Sequence, residues 1–180
     1  RAMSNNVEAI YPLSPMQEGM LFHSVYSPGT GVYVNQVAYT FGGLDTDAFR
    51  RAWQAALDRH GALRTAFLWE KRDRPLQAVL RAVEMPWDEY DWRGLDREAQ
   101  QAALQALMRE DRERSYPLNR PPATRLYVMR TADDEHRVLW SFHHLVLDGW
   151  SMSLLLAEVF RLYDALRRGE PPALPPAPQY

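Results

Sequence analysis

Apolar residues along this chain change their spacing repeatedly, from every second residue to every third or fourth and back. Strict strand-helix alternation, which an all-parallel sheet would need, is absent. Period two predicts strands over Tyr33 to Phe41, stopped by Gly42-Gly43, and over Leu63 to Trp69. A turn over Arg72 to Pro75 leads into a further strand, Leu76 to Val83, so a hairpin is expected there. The spacing predicts two more strands, Arg125 to Arg130 and Arg137 to His144. The helical period governs four other stretches. Ser14-Pro15-Met16-Gln17 is a capping box with proline at the first helical position, opening a helix to about Ser24. Asp45 or Thr46 caps a helix with Phe49, Ala52, Trp53, Ala56 and Leu57 on one face, and Gly61 suits a left-handed C-cap. From Asp96 to about Arg114 the apolar side is Ala99, Ala103, Ala106 and Leu107. The last helix, Ser151 to Arg168, carries Met152, Leu155, Leu156, Val159, Phe160 and Tyr163 on one face; Arg167 and Arg168 complement its dipole before Gly169 ends it. The expected fold class is therefore an α/β (α+β) layered sandwich, a mixed β-sheet packed with helices, without internal repeats.

Composition narrows the function classes. The 180 residues suffice for one domain core, and 46% hydrophobic with 24% charged residues is ordinary globular composition. A net charge of -2 without a long cationic run argues against nucleic acid as a partner. With no cysteine, disulfides, thiolate metal sites and cysteine nucleophiles are excluded, and a reducing, cytoplasmic location is compatible. No apolar run approaches the roughly 20 residues of a membrane span, and the start lacks a signal-peptide layout. Five of the 13 prolines fall in the last ten residues, so residues 170–180 are expected to form an extended connector. Residues 1–10 are expected to be a leader segment and 11–169 the folded unit.

The candidate site lies between Ser141 and Ser153. In a regular strand, His143 and His144 point to opposite faces: Val138, Trp140, Phe142 and His144 on one side, Leu139, Ser141 and His143 on the other. Only one of the pair can then serve a given cleft, and a shared metal is disfavoured, as it is by the lack of a His-Glu-x-x-His helix. Asp148-Gly149 follows, at a turn before a helix, where turn chemistry and capping suffice to explain it. By themselves the histidines fit a pair of satisfied core side chains as well as a reactive centre. No Gly-x-Ser-x-Gly elbow, P-loop or Gly-x-Gly-x-x-Gly is present.

His143-His144-Leu145-Val146-Leu147-Asp148-Gly149 resembles the His-His-x-x-x-Asp-Gly signature of condensation domains of nonribosomal peptide synthetases, relatives of chloramphenicol acetyltransferase. The segment from Tyr11-Pro12-Leu13-Ser14 to Leu21-Phe22-His23 resembles the first motif of that family, and Arg59-His60-Gly61-Ala62-Leu63-Arg64-Thr65 its second. Tyr116-Pro117-Leu118, Pro121-Pro122 and Arg125-Leu126 fit the segment ahead of the strand pair. The resemblance runs in order from Tyr11 to Tyr180 and covers the N-terminal lobe, a chloramphenicol acetyltransferase-like half of a two-lobed domain.

It implies an enzyme that joins a donor acyl or peptidyl thioester on an upstream peptidyl carrier protein to the amine of an acceptor on a downstream one. No cofactor is bound directly, and the 4'-phosphopantetheine arms arrive on the carriers. Further implied partners are the C-terminal lobe and an adjacent adenylation domain. His144 maps onto the reacting centre, with His143 as its support. Asp148 is an ion-pair partner that shapes the site, with Arg64 or an arginine of the other lobe, and Gly149 lets the arm approach the backbone. Arg59 and Arg64 are structural residues of the second motif. The wording of the first motif is similar to members that take a D-configured donor. The alternatives are an epimerisation domain, a coenzyme A-dependent acyltransferase and a non-catalytic carrier-docking module. Because the family's sites lie between two lobes, the 180 residues alone are expected to turn over little.

Overall fold

The computed structural model describes residues 5–172 and 174–177. In chain order the elements are β1 (Val7–Pro12), α1 (Pro15–Tyr26), β2 (Val34–Gly42), α2 (Thr46–Arg59), a 3-10 turn (Gly61–Arg64), β3 (Thr65–Leu68), β4 (Leu76–Leu80), β5 (Trp87–Asp91), α3 (Arg97–Arg114), β6 (Thr124–Ala132), β7 (Glu135–His143) and α4 (Gly149–Arg168). Each α-helix starts where a short polar side chain takes over an orphan amide. Ser14 accepts from Gln17 N–H and Gln17 closes the box, while Asp45, Asp96 and Asp148 accept from Ala48, Ala99 and Ser151. Such caps contribute about 1 kcal/mol each.

Two sheets form, β1-β4-β3 and β2-β7-β6-β5, antiparallel except for the parallel β5–β6 pair. The larger sheet is the middle layer. Val138, Trp140 and Phe142 of β7 project into the main core with Phe49 and Trp53 of α2 and Leu155 and Val159 of α4. Trp53 and Trp140 meet at 5.0 Å between ring centroids. On the opposite face, Leu139 of β7 and Tyr127 and Met129 of β6 pack on Leu104 of α3. The layered sandwich and the β3–β4 hairpin are as expected, and Gly169 ends α4 at φ 66°.

Three readings are corrected and one strand is added. Residues 7–10 do not belong to a leader: with Tyr11 and Pro12 they form β1, paired to β4. Gly61 is not a left-handed cap. His60 ends α2 in extended backbone, its N–H on the Ala56 carbonyl, and Gly61 opens the 3-10 turn. In α3 the fully buried residues are Gln100, Leu104 and Asp111; of the expected apolar side Leu107 packs on this inward face and Ala99, Ala103 and Ala106 are half-buried, because the Gln100 and Asp111 side chains find buried partners across the layer. Trp87–Asp91, which carries no strand pattern, is a parallel edge strand on β6. Residues 1–4 of the expected leader, and 173 and 178–180 of the expected connector, lie outside the described residues.

Candidate functional site

The end of β7 is held from both sides. His143 N–H donates to the Ala123 carbonyl at 2.9 Å, and His144 N–H to the Tyr33 carbonyl ahead of β2 at 2.7 Å. The chain then turns tightly: Val146 N–H returns to the His143 carbonyl at 3.1 Å, which makes His144 and Leu145 the two central residues of a β-turn. Leu145, Val146 and Leu147 are buried in the main core. They anchor the loop between His144, which is half-buried, and Asp148 and Gly149, which are exposed.

The strand expected to run to His144 stops one residue short: His143 is the last residue of β7, and His144 belongs to the turn that follows it. His143 is 2% exposed and follows Ser141 on the α3 side of the sheet. Both of its ring nitrogens are engaged. Leu145 N–H donates to Nδ1 at 3.0 Å, so in the neutral ring the proton sits on Nε2, which lies 3.2 Å from Ser24 Oγ. The Ser24 hydroxyl spends its own proton on the Met20 carbonyl at 2.8 Å and is left to accept. Tyr33 and Tyr116 flank the ring at 5.9 and 6.4 Å between centroids. Burial, with a smaller contribution from neighbouring His144, pushes the His143 pKa down to about 4, so the ring is neutral at physiological pH.

Behind His143 lies a buried polar network. Ser141 Oγ donates to Asp111 Oδ2 and Tyr127 OH to Oδ1 at 2.6 Å, while Gln36 Nε2 reaches Oδ2 at 2.8 Å. Tyr116 OH donates to Ser141 Oγ at 2.7 Å, and the Arg125 guanidinium lies over the Tyr116 ring at 3.9 Å. Arg125 Nε is 3.0 Å from Asp111 Oδ1, an ion-pair distance without hydrogen-bond alignment. Burial is the main cause that raises the pKa of both phenols, which keeps them protonated and donating.

The other expected site residues separate into three places. Asp148 caps α4 through Oδ1, 2.7 Å from Ser151 N–H. Arg64 does not supply its partner: the guanidinium is spent on Glu8 at 2.9 Å and on the carbonyls of Leu57, Leu80 and Arg81. Arg59 bonds Glu158 of α4 at 2.9 Å and the Pro175 carbonyl at 2.7 Å, and His60 meets the same carboxylate. Those two line a cavity of about 450 Å³ with Val146, Leu147, Leu155 and Leu174. His144 lines neither that cavity nor the small one beside His143. At Gly149 a Cβ would meet nothing within 4 Å among the described residues, so neither crowding nor a left-handed φ demands glycine there. No cluster of three or more His, Asp or Glu among the described residues is placed to hold a metal. Sequence reasoning missed Ser24 and Asp111. Ser24 directly follows the first motif, which was its only signal, and Asp111 looked like part of a solvated helix.

The family model described as "Condensation domain" matches residues 7–180. The chain belongs to the condensation-domain family. It is 44% identical over 171 residues to a linear gramicidin synthase of Brevibacillus parabrevis, a match covering 95% of this chain and 3% of that protein. It is 34% identical over 177 residues to surfactin synthase subunit 3 of Bacillus subtilis (strain 168), covering 98% and 14%. Among solved structures, the starter condensation domain of rhizomide synthetase RzmA superposes with a TM-score of 0.82 at 24% identity, over 92% of this chain and 41% of that one. The first condensation domain of the calcium-dependent antibiotic synthetase gives 0.82 at 22% identity, over 94% and 42%. The chain thus shares the chloramphenicol acetyltransferase-like fold of condensation domains and spans about two fifths of the solved ones. No helix among the described residues is long and apolar enough to cross a membrane.

Proposed function

We propose that this chain is the histidine-bearing lobe of a condensation domain that forms an amide bond in a nonribosomal peptide synthetase. The donor acyl or peptidyl group arrives as a thioester on an upstream peptidyl carrier protein, and the acceptor amine on a downstream carrier. The observation that supports the reading is the contrast within the histidine pair: both ring nitrogens of His143 are engaged by Leu145 and Ser24, while His144 is a half-buried residue of the turn that leads to the exposed Asp148 and Gly149.

The acceptor amine nitrogen attacks the thioester carbonyl carbon, the C–N bond forms, and the C–S bond breaks to release the upstream thiol. The proton lost by the amine is taken or shared by the His144 imidazole and passes to the departing sulfur, a role worth on the order of 10²–10⁴-fold. Asp148 contributes by capping α4, which fixes the far end of the loop that carries His144. Gly149 leaves its side open for the phosphopantetheine arm, which reaches the site as part of the substrate. A complementary lobe, an adjacent adenylation domain and a cytoplasmic location go with this reading.

The test loads the upstream carrier with a donor and the downstream carrier with an acceptor, adds the complete domain in D2O, and follows both carriers by mass spectrometry. Condensation places the donor on the acceptor carrier through an amide. Deuterium entering the donor α-carbon without transfer would identify an epimerisation domain. Transfer to free coenzyme A would identify an acyltransferase, and carrier binding without either reaction a docking module.

A further inference from the structure

Resting on the function proposed above, we propose that Ser24 of α1 is a positioning residue for the reacting turn, acting through His143. Three hydrogen bonds in series connect the helix to the turn. The Ser24 hydroxyl donates to the Met20 carbonyl of its own helix, Ser24 Oγ accepts from His143 Nε2–H, and His143 Nδ1 accepts from Leu145 N–H. The donor and acceptor order is forced. An amide N–H at Nδ1 requires the lone pair there, which puts the ring proton on Nε2, and a hydroxyl already donating to a carbonyl can only accept it. Leu145 is the central turn residue next to His144, so the His143 ring sets the plane of the peptide that joins His144 to Leu145.

Ser24 is otherwise out of place. A helical serine bonded to the carbonyl four residues back gains nothing for its own helix over alanine. Ser24 and His143 are 119 residues apart in sequence. The contact also explains how the capping box that starts α1 bears on the site: the box fixes where the helix begins, and Ser24 lies near its other end, two residues before Tyr26. Groups around His143 are Ser24 and His23 from α1, Tyr33 from the segment before β2, Tyr116 and Ser115 beyond α3, and His144 beside it; none of these is an acid.

The experiment uses the complete domain with 15N-labelled histidine and the two loaded carriers. In the wild type the His143 signals are those of one neutral tautomer, protonated at Nε2. Ser24→Ala leaves Leu145 N–H on Nδ1 but removes the acceptor of the Nε2 proton, so it is expected to shift the His143 Nε2–H signal and to lower kcat about 3- to 10-fold, the size of one net hydrogen bond, with the carrier KM unchanged. Alanine favours the helix, so loss of α1 is not the cause. Ser24→Thr, whose hydroxyl can make the same bond to the preceding turn, restores both readouts. An unchanged His143 spectrum in Ser24→Ala overturns the proposal, as does an altered spectrum with wild-type kcat. His144→Ala run alongside separates the two claims: wild-type transfer by that variant defeats the function reading, whereas the Ser24→Ala spectrum still tests the hydrogen-bond series.

Discussion

Mild acid should weaken this fold through one buried ring. The His143 pKa is pushed down to about 4 in the folded chain, against an ordinary value of 6.5, because protonation would charge a buried ring, with a smaller contribution from neighbouring His144. Above about pH 6.5 neither state binds the proton and the group has no linkage effect. As pH falls below that value the unfolded chain takes up a proton that the folded chain refuses, and stability is lost until the native ring titrates near 4. Each pH unit in that window costs at most about 1.4 kcal/mol, so going from about pH 7 to about pH 5 costs about 2 kcal/mol.

The assay is urea unfolding of the 180-residue chain at several pH values between those limits, for wild type and for His143→Asn. The asparagine amide oxygen can still accept the Leu145 N–H but does not titrate. His136, whose pKa is also lowered by burial, responds in the same direction in both proteins and cancels in the comparison. So do Asp91 and Glu135, whose carboxyls are held low by hydrogen bonds from Arg93 and Arg97. The difference between the two proteins should grow by about 2 kcal/mol in the wild type's disfavour on acidification. Parallel loss of stability in wild type and variant would refute the buried, neutral ring.

Two further outcomes are expected. Asp111→Ala leaves Arg125 buried without its carboxylate and removes the acceptor of Tyr127 and Ser141, so urea unfolding should show a loss of about 3–5 kcal/mol. Gly149→Ala places its methyl in open space, so stability should hold or rise by up to about 1 kcal/mol, while transfer from loaded carriers slows because the approach of the arm is narrowed. Slowed transfer without loss of stability is the combination to check.

Much of this architecture could be read from the chain. The capping box, the hairpin and the terminal glycine of α4 each announce themselves locally, because a cap, a tight turn and a left-handed residue depend on neighbours in sequence. Alternation along β7 also divided its apolar residues correctly, with Val138, Trp140 and Phe142 on the main core and Leu139 on the α3 side, but it stops before His144, which lies in the turn beyond the strand. β1 and β5 escaped because both are edge strands whose exposed faces carry no alternation: Glu8, Ile10, Tyr11 and Pro12 in the first, four acidic or tyrosine residues after Trp87 in the second. The face of α3 was legible only in part, through Leu107, because its inward side also holds Gln100 and Asp111, whose burial makes sense only with Thr131, Tyr127 and Ser141 across the layer. The site's first half was similarly legible as a motif. Its support was not, since the partners of His143 and Asp111 come from distant segments and a tautomer is set only by three-dimensional contacts.

The central claim is that His144, and not its neighbour, works at the reacting carbonyl. It is tested most directly by the single-turnover rate at which the complete domain moves a donor from the upstream to the downstream carrier. His144→Ala should slow that step by on the order of 10²–10⁴-fold, with the fold and carrier binding unchanged. Transfer at the wild-type rate by a folded His144→Ala domain would contradict the account.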